Sequence, residues 1–132
     1  MNDKIKSHKD LRVYHNAMEA AMKVFELTKR FPAEEKCLLA GQMRRSSRML
    51  CTHIGQAWRH RGDQAAFTAK LKDSESVACE SQVWIEFARN CGYLKDGICH
   101  DLDSAYDRIL GQLFIMIKES DKWVYKSDRA TA

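Results

Sequence analysis

One stretch constrains this chain more than any other: Lys36 to Arg61, which reads KCLLAGQMRRSSRMLCTHIGQAWRHR. It holds six lysines and arginines (Lys36, Arg44, Arg45, Arg48, Arg59, Arg61) and no aspartate or glutamate. Wound at about 100° per residue, it puts Leu39, Met43, Ser46, Leu50, Ile54 and Ala57 on one face. The same winding brings Arg44, Arg48 and Arg59 within about a sixth of a turn of one another on the opposite side. A helix with an apolar stripe and a basic stripe back to back must bury the first. What the second meets is the functional question.

The flanking segments repeat the helical pattern. Ser7-His8-Lys9-Asp10 has the Ser-x-x-acid form of a helix start. Leu11, Tyr14, Ala17/Met18, Ala21/Met22 and Phe25 then recur every three or four residues, predicting a first helix over 8–30 with these as its core stripe. Phe31-Pro32 breaks it, and Pro32 opens a second helix over 32–60 with Glu34 and Glu35 at its positive end. Gly62 is expected to take a left-handed cap, and Asp63 to N-cap a third helix striped by Phe67, Leu71, Ser74, Ala78, Ser81, Ile85 and Ala88. Small residues on that stripe imply a close helix neighbour. Gly92 stops the third helix, and Tyr93 and Leu94 fold back on its last turn. Asp96-Gly97 reads as a turn, and a fourth helix follows over 99–119, striped by Leu102, Tyr106, Ile109, Leu113 and Met116/Ile117. Four single-striped helices with short connections predict an all-α, antiparallel up-down-up-down four-helix bundle. It forms one domain over 1–132, with residues 1–7 and 120–132 as flexible or peripheral tails. The core is expected to hold Leu39, Met43, Leu50, Ile54, Phe67, Leu71, Ile85, Ile109 and Leu113.

Composition limits what such a bundle does. No apolar run nears the about 18 residues that span a bilayer, and MNDKIKSHKD lacks the apolar core of a signal peptide. Five cysteines at unpaired spacings point to free thiols in a reducing compartment, so the expected location is the cytoplasm. The net charge of +4 hides an asymmetry: residues 36–61 carry +6, while 63–107 carry nine acids against four bases, a net of −5. Such a molecule invites an anionic partner or a second copy of itself.

Three groups of residues make the chain familiar: Leu11-x-Val13-Tyr14, then Thr28-x-x-Phe31-Pro32-x-Glu34, then Leu39-x-x-Gln42-x-Arg44-Arg45. Together with Phe67-x-x-x-Leu71, Ser74-x-Ser76-x-x-x-Glu80 and Gly92-Tyr93, they resemble the small proteins encoded in intervening sequences of bacterial 23S rRNA genes. The likeness covers residues 9–117. It implies an antiparallel four-helix bundle, a homo-oligomeric ring often of five copies, and no established enzymatic activity. A more distant relative is the accessory protein of diversity-generating retroelements, a basic barrel that binds nucleic acid and a reverse transcriptase. This chain departs from the family in having Tyr14 for a usual tryptophan. It also has His53-Ile54-Gly55-Gln56-Ala57 where Asn-Ile-Ala-Glu-Gly is usual. The lost acid makes the end of the second helix more basic.

The chemistry then narrows to surfaces. Arg44, Arg45, Arg48, Arg59 and Arg61 are candidates for phosphate contacts along RNA or DNA. The alternatives for them are a subunit interface facing an acidic surface, with no nucleic-acid role, or a solvated face. No Glu-x-x-His occurs, so a di-iron site is not expected, and Cys51-x-His53 and Cys91…Cys99-His100 are too sparse for zinc. His53 lies two residues from Cys51, on a different side of the helix, which argues against a nucleophile pair. No catalytic residue, metal or cofactor is expected, and no membrane partner. The tail Lys122-Trp123-Val124-Tyr125-Lys126 interleaves bases and aromatics as single-strand binders do. Exposed aromatics more often seat on an apolar surface, of their own bundle or of a neighbour.

Overall fold

The computed structural model of the protein describes residues 4–125. A 3-10 turn at His8–Asp10 leads into helix α1 (Arg12–Thr28). A second 3-10 turn at Ala33–Glu35 precedes α2 (Leu39–Arg59). Helices α3 (Gln64–Asn90) and α4 (Asp96–Lys118) follow, with a last 3-10 turn at Ser120–Lys122. The described residues contain no strand. Helix α2 packs on α3, α3 on α4, and α1 on both α2 and α4. One hydrophobic core lies between them, and all nine expected core residues are in it.

The small residues of α3 do what their size allows. Ser46 and Ser81 meet across α2 and α3 at 2.8 Å, and Ser74, Ala78 and Ala88 are buried beside them. The hydroxyls of Ser74 and Ser81 also donate back to carbonyls one turn earlier, so no buried donor is orphaned there. Gly92, with φ 77°, ends α3. Gly92 N–H donates to the Arg89 carbonyl and Tyr93 N–H to the Ala88 carbonyl, the paired bonds of a Schellman cap. Tyr93 then stacks on buried Phe31, at 5.3 Å between rings, and its hydroxyl donates to Glu35 Oε2 at 3.0 Å. These contacts tie the α1–α2 connection to the α3–α4 connection.

Four boundaries differ from the sequence reading. The capping box at Ser7 and Asp10 forms, but it caps the 3-10 turn. Leu11 is extended there (ψ 129°), which lets it bury before α1 begins. The second helix is interrupted at 36–38, where Leu38 has ψ −96° and is exposed. The break separates two buried anchors, Phe31 and Leu39. Asp96-Gly97 is the first turn of α4 rather than a loop, with Asp96 held by Arg89 at 2.9 Å. Gly62 has no left-handed backbone, and the Tyr125 hydroxyl lies 3.4 Å from where a Cβ would stand, an ordinary van der Waals contact.

The largest revision concerns α1. Its buried face is Val13, Ala17, Ala20, Ala21, Val24 and Thr28. Tyr14 and Phe25 are half-buried, and Met18 and Met22 are 39% and 53% exposed. Of the expected stripe, Leu11, Ala17 and Ala21 are buried, while Tyr14, Met18, Met22 and Phe25 lie along the edge toward α2. At the other end of the chain, Ser120 is buried and accepts from Gln64 Nε2 at 2.8 Å, and Trp123 and Val124 pack on the core. Residues 120–125 thus lie on their own helices; Lys126 and the rest of the tail are outside the described residues.

Candidate nucleic-acid interface

The five arginines of the basic stretch separate into two groups. Arg44 turns back onto α1. Its Nε donates to Thr28 Oγ1 at 2.8 Å and an Nη to the Phe25 carbonyl at 3.3 Å, with the guanidinium 4.8 Å above the Phe25 ring. It thereby meets carbonyl oxygen at the negative end of α1. Arg61 lies beyond the end of α2. Its Nε donates to the Trp58 carbonyl at 2.9 Å, and its guanidinium sits between the rings of Trp58 (3.4 Å) and Tyr125 (5.2 Å). Burial pulls its pKa below the ordinary arginine value. Both side chains serve junctions between elements.

Arg45, Arg48 and Arg59 are exposed on α2. None of them forms an ion pair among the described residues, whose four salt bridges are Lys29–Glu26, Lys70–Asp73, Arg89–Asp96 and Lys122–Glu119. Arg48 stands on a ridge between two depressions. On one side Lys36, Arg44 and Arg45 border a shallow hollow of about 380 Å³. On the other lies a trough of about 950 Å³ between α1 and α2. Tyr14, Met18, Met22, Phe25 and Trp58 give that trough an apolar floor, and Arg48, Arg59, Lys6 and Lys9 give it a basic rim. Among the described residues no acidic side chain lines it.

The sequence reading missed the α1 half of this trough. Two signals were present. The first helix carries more apolar residues than one stripe holds, so one row had to face outward. Residues 1–7 read as a flexible or peripheral tail, yet the Asp10 carboxylate accepts from the Lys6 and Ser7 backbone N–H groups, which lower its pKa. The His8 ring reaches α2, lying 3.6 Å from the Cβ position of Gly55, and packs edge-on against Tyr14 at 4.9 Å.

The opposite side of the molecule is acidic. Glu86, Asp103 and Asp107 line a depression between α3 and α4, with Arg89, paired to Asp96, at the same place. Burial raises the Asp103 pKa, and the nearby Asp107 and Glu86 charges raise it further. Val83 and Phe87 are exposed along the same stretch of α3. Among the described residues no group of three or more His, Cys, Asp or Glu is placed to hold a metal ion. His53 contacts Gln56, at 3.3 Å. Cys51 is buried with its thiol toward the Ser47 carbonyl, and burial pushes its pKa up to about 11, away from nucleophilic use. No helix among the described residues is long and apolar enough to cross a membrane.

Comparison with known proteins agrees with this architecture. A crystal structure from Bacteroides thetaiotaomicron VPI-5482, of a protein with unknown function from the S23 ribosomal protein family, superposes with a TM-score of 0.73. It shares 23% sequence identity, over 80% of this chain and 95% of that one. No curated protein matches. The family model for 23S rRNA-intervening sequence proteins matches residues 9–114, from the turn before α1 into the last turns of α4. The match takes in every helix and the whole basic stretch, and the chain belongs to the family of 23S rRNA-intervening sequence proteins.

Proposed function

We propose that this protein is a non-enzymatic, oligomeric helical bundle that contacts the backbone of RNA or DNA, or a nucleic-acid-processing partner, through the exposed basic face of α2. One observation carries the reading: Arg45, Arg48 and Arg59 point outward with no acid paired to them among the described residues. Unpaired arginines on one helix face release counterions when they meet phosphates. The description of the solved relative as an S23 ribosomal family protein fits an RNA setting. The bundle is up-down-up-down. Supporting this, Glu35–Tyr93 joins two connections, and Gln64–Ser120 joins the start of α3 to the end of α4. Asn16–Gln112 and Ser46–Ser81 join neighbouring helices between. Free cysteines suit a cytoplasmic location.

The test is fluorescence anisotropy with labelled RNA and DNA over a salt series. Binding should show little sequence preference. Each arginine that meets a phosphate adds roughly 0.7 to 0.9 units to the slope of log affinity against log salt. Arg48→Ala with Arg59→Ala should flatten the slope by up to about two units and leave the oligomer intact. An intact oligomer without affinity for any nucleic acid at low salt would end this reading. A second reading is that α2 serves assembly alone. The acidic depression on α3 and α4, with exposed Val83 and Phe87 beside it, favours it. In that case the same double variant dissociates and binds nothing.

A further inference from the structure

We infer that the trough between α1 and α2 receives unstacked bases, so that the ligand of the basic face is single-stranded rather than duplex nucleic acid. The inference rests on the nucleic-acid reading above and adds the strandedness of the ligand. Its basis is the juxtaposition of an apolar, ring-bearing floor with a rim whose charged side chains, among the described residues, are all basic.

A duplex holds its bases stacked inside and shows phosphates outside. Laid on α2, it meets Arg48 and Arg59 but leaves Tyr14, Met18 and Met22 uncovered. A single strand offers both chemistries at once: a phosphate at every nucleotide and an apolar base face beside it. The trough presents both in matching order. Arg48 and Arg59 are eleven residues apart on α2, or about 16 Å along its axis. Tyr14 and Phe25 are eleven residues apart on α1, so the floor runs for the same length. Lys6 and Lys9 add positive charge from the turn whose His8 packs on Tyr14. That turn contacts both helices, lying across the trough. An anionic chain running along the trough therefore has cations along α2 and at the crossing turn.

The floor suits bases without selecting one. Tyr14 is half-buried, held by the edge of His8. The Met18 and Met22 thioethers are flexible and polarisable, and they pack favourably against aromatic faces of any outline. Phe25 and Trp58 close the floor and already carry cations, Arg44 on Phe25 and Arg61 on Trp58. The thioethers and ring faces of the floor offer stacking, which has no sequence preference.

The test uses the intact protein, with a labelled oligouridine or oligothymidine strand and a hairpin duplex of equal charge at one low salt concentration. The single strand should bind at least about tenfold more tightly than the duplex. Met18→Gln with Met22→Gln is neutral in charge, lies on an exposed helix edge and keeps helix-forming residues. It should bring single-strand affinity down to the duplex level without changing the salt slope. A strand carrying 5-iodouracil should crosslink on irradiation within residues 13–23, the tryptic peptide that holds Tyr14, Met18 and Met22. Equal affinity for strand and duplex, unmoved by the methionine variants, overturns the inference and leaves backbone binding standing. No binding to either probe at low salt removes the nucleic-acid reading itself. A change in oligomeric mass with unchanged binding identifies the trough as a subunit or peptide-docking surface, which also overturns the inference.

Discussion

Two arginines four residues apart in sequence have different work, and only their surroundings separate them. Arg44 is fixed by Thr28, Phe25 and a carbonyl of α1, whereas Arg48 is exposed on the ridge beside it. The angular arithmetic of a helix places both on one stripe; a neighbouring helix end decides which of them turns back. Arg44→Ala removes two hydrogen bonds and a cation–ring contact, and thermal or urea unfolding should show a loss of about 1–3 kcal/mol. Arg48→Ala should stay within about 0.5 kcal/mol of the parent. Equal stabilities of the two variants would contradict this division. Tyr106 makes a different residue-scale point. Its hydroxyl is buried without a hydrogen-bond partner among the described residues, and burial pushes its pKa up to about 12. Cys51 is likewise pushed up to about 11 by burial. For both groups the folded pKa exceeds the unfolded one, so their contribution is complete below the unfolded values, about 8.5 for cysteine and about 10 for tyrosine. It is lost as pH rises from there through 11 and 12. The urea midpoint should therefore fall between pH 9 and pH 11, and Tyr106→Phe with Cys51→Ala should flatten that fall. At pH 7, Tyr106→Phe by itself should cost little or stabilise, since no hydrogen bond is given up.

At the scale of the element, legibility followed how many faces each helix buries. Helix α2 was legible because its two stripes are chemically opposite, and its buried face is the one read: Leu39, Met43, Ser46, Leu50, Ile54 and Ala57. Leu50 has no exposed surface, and Leu50→Ala should cost about 2–5 kcal/mol in chemical denaturation. A loss below about half a kcal/mol would place that face wrongly. Helix α1 was only half legible because both its rows are apolar, Ala17–Ala21–Val24 inward and Tyr14–Met18–Met22–Phe25 toward α2. Period alone marks a helix but does not rank two adjacent apolar rows. Size ranks them: alanines allow the close packing of the inner row, and bulky methionines take the outer one. Caps were legible where backbone and side chain agree, as at Asp63, whose carboxylate accepts from Ala66 N–H, and at Gly92. The left-handed cap expected at Gly62 does not form, and the Tyr125 side chain that packs there arrives from more than sixty residues away. The trough was half legible for the same cause: its α2 wall is local pattern, and its α1 wall and lysines are placed by tertiary contacts.

For the whole molecule, the charge asymmetry visible in the sequence becomes two surfaces with different apolar partners. The basic side joins α2 to the Lys6–Lys9 turn, and the acidic side joins Glu86 of α3 to Asp103 and Asp107 of α4. The Asp103 pKa is raised by burial first and then by Asp107 and Glu86, against His100 and Arg89, which lower it. A cation brought against that side lowers it further, and exposed Val83 and Phe87 supply apolar surface for the same contact. Because the two surfaces differ, a contact between them is heterologous, and heterologous contacts close into rings when the rotation allows. The prediction is self-association. Light scattering at micromolar protein and low salt should give a multiple of 15.3 kDa. Raising the salt toward 1 M shrinks the screening length to about 3 Å and should weaken the assembly if charge guides it. Phe87→Glu adds an acid to the acidic side and removes apolar area, and should lower the mass at fixed concentration. Arg48→Ala with Arg59→Ala then decides what the basic side is for. If mass falls with affinity, these arginines bridge subunits; if affinity falls while mass holds, they are left for the ligand. A monomer at every concentration and at low salt would refute the ring, because unlike surfaces that attract must show it where screening is least.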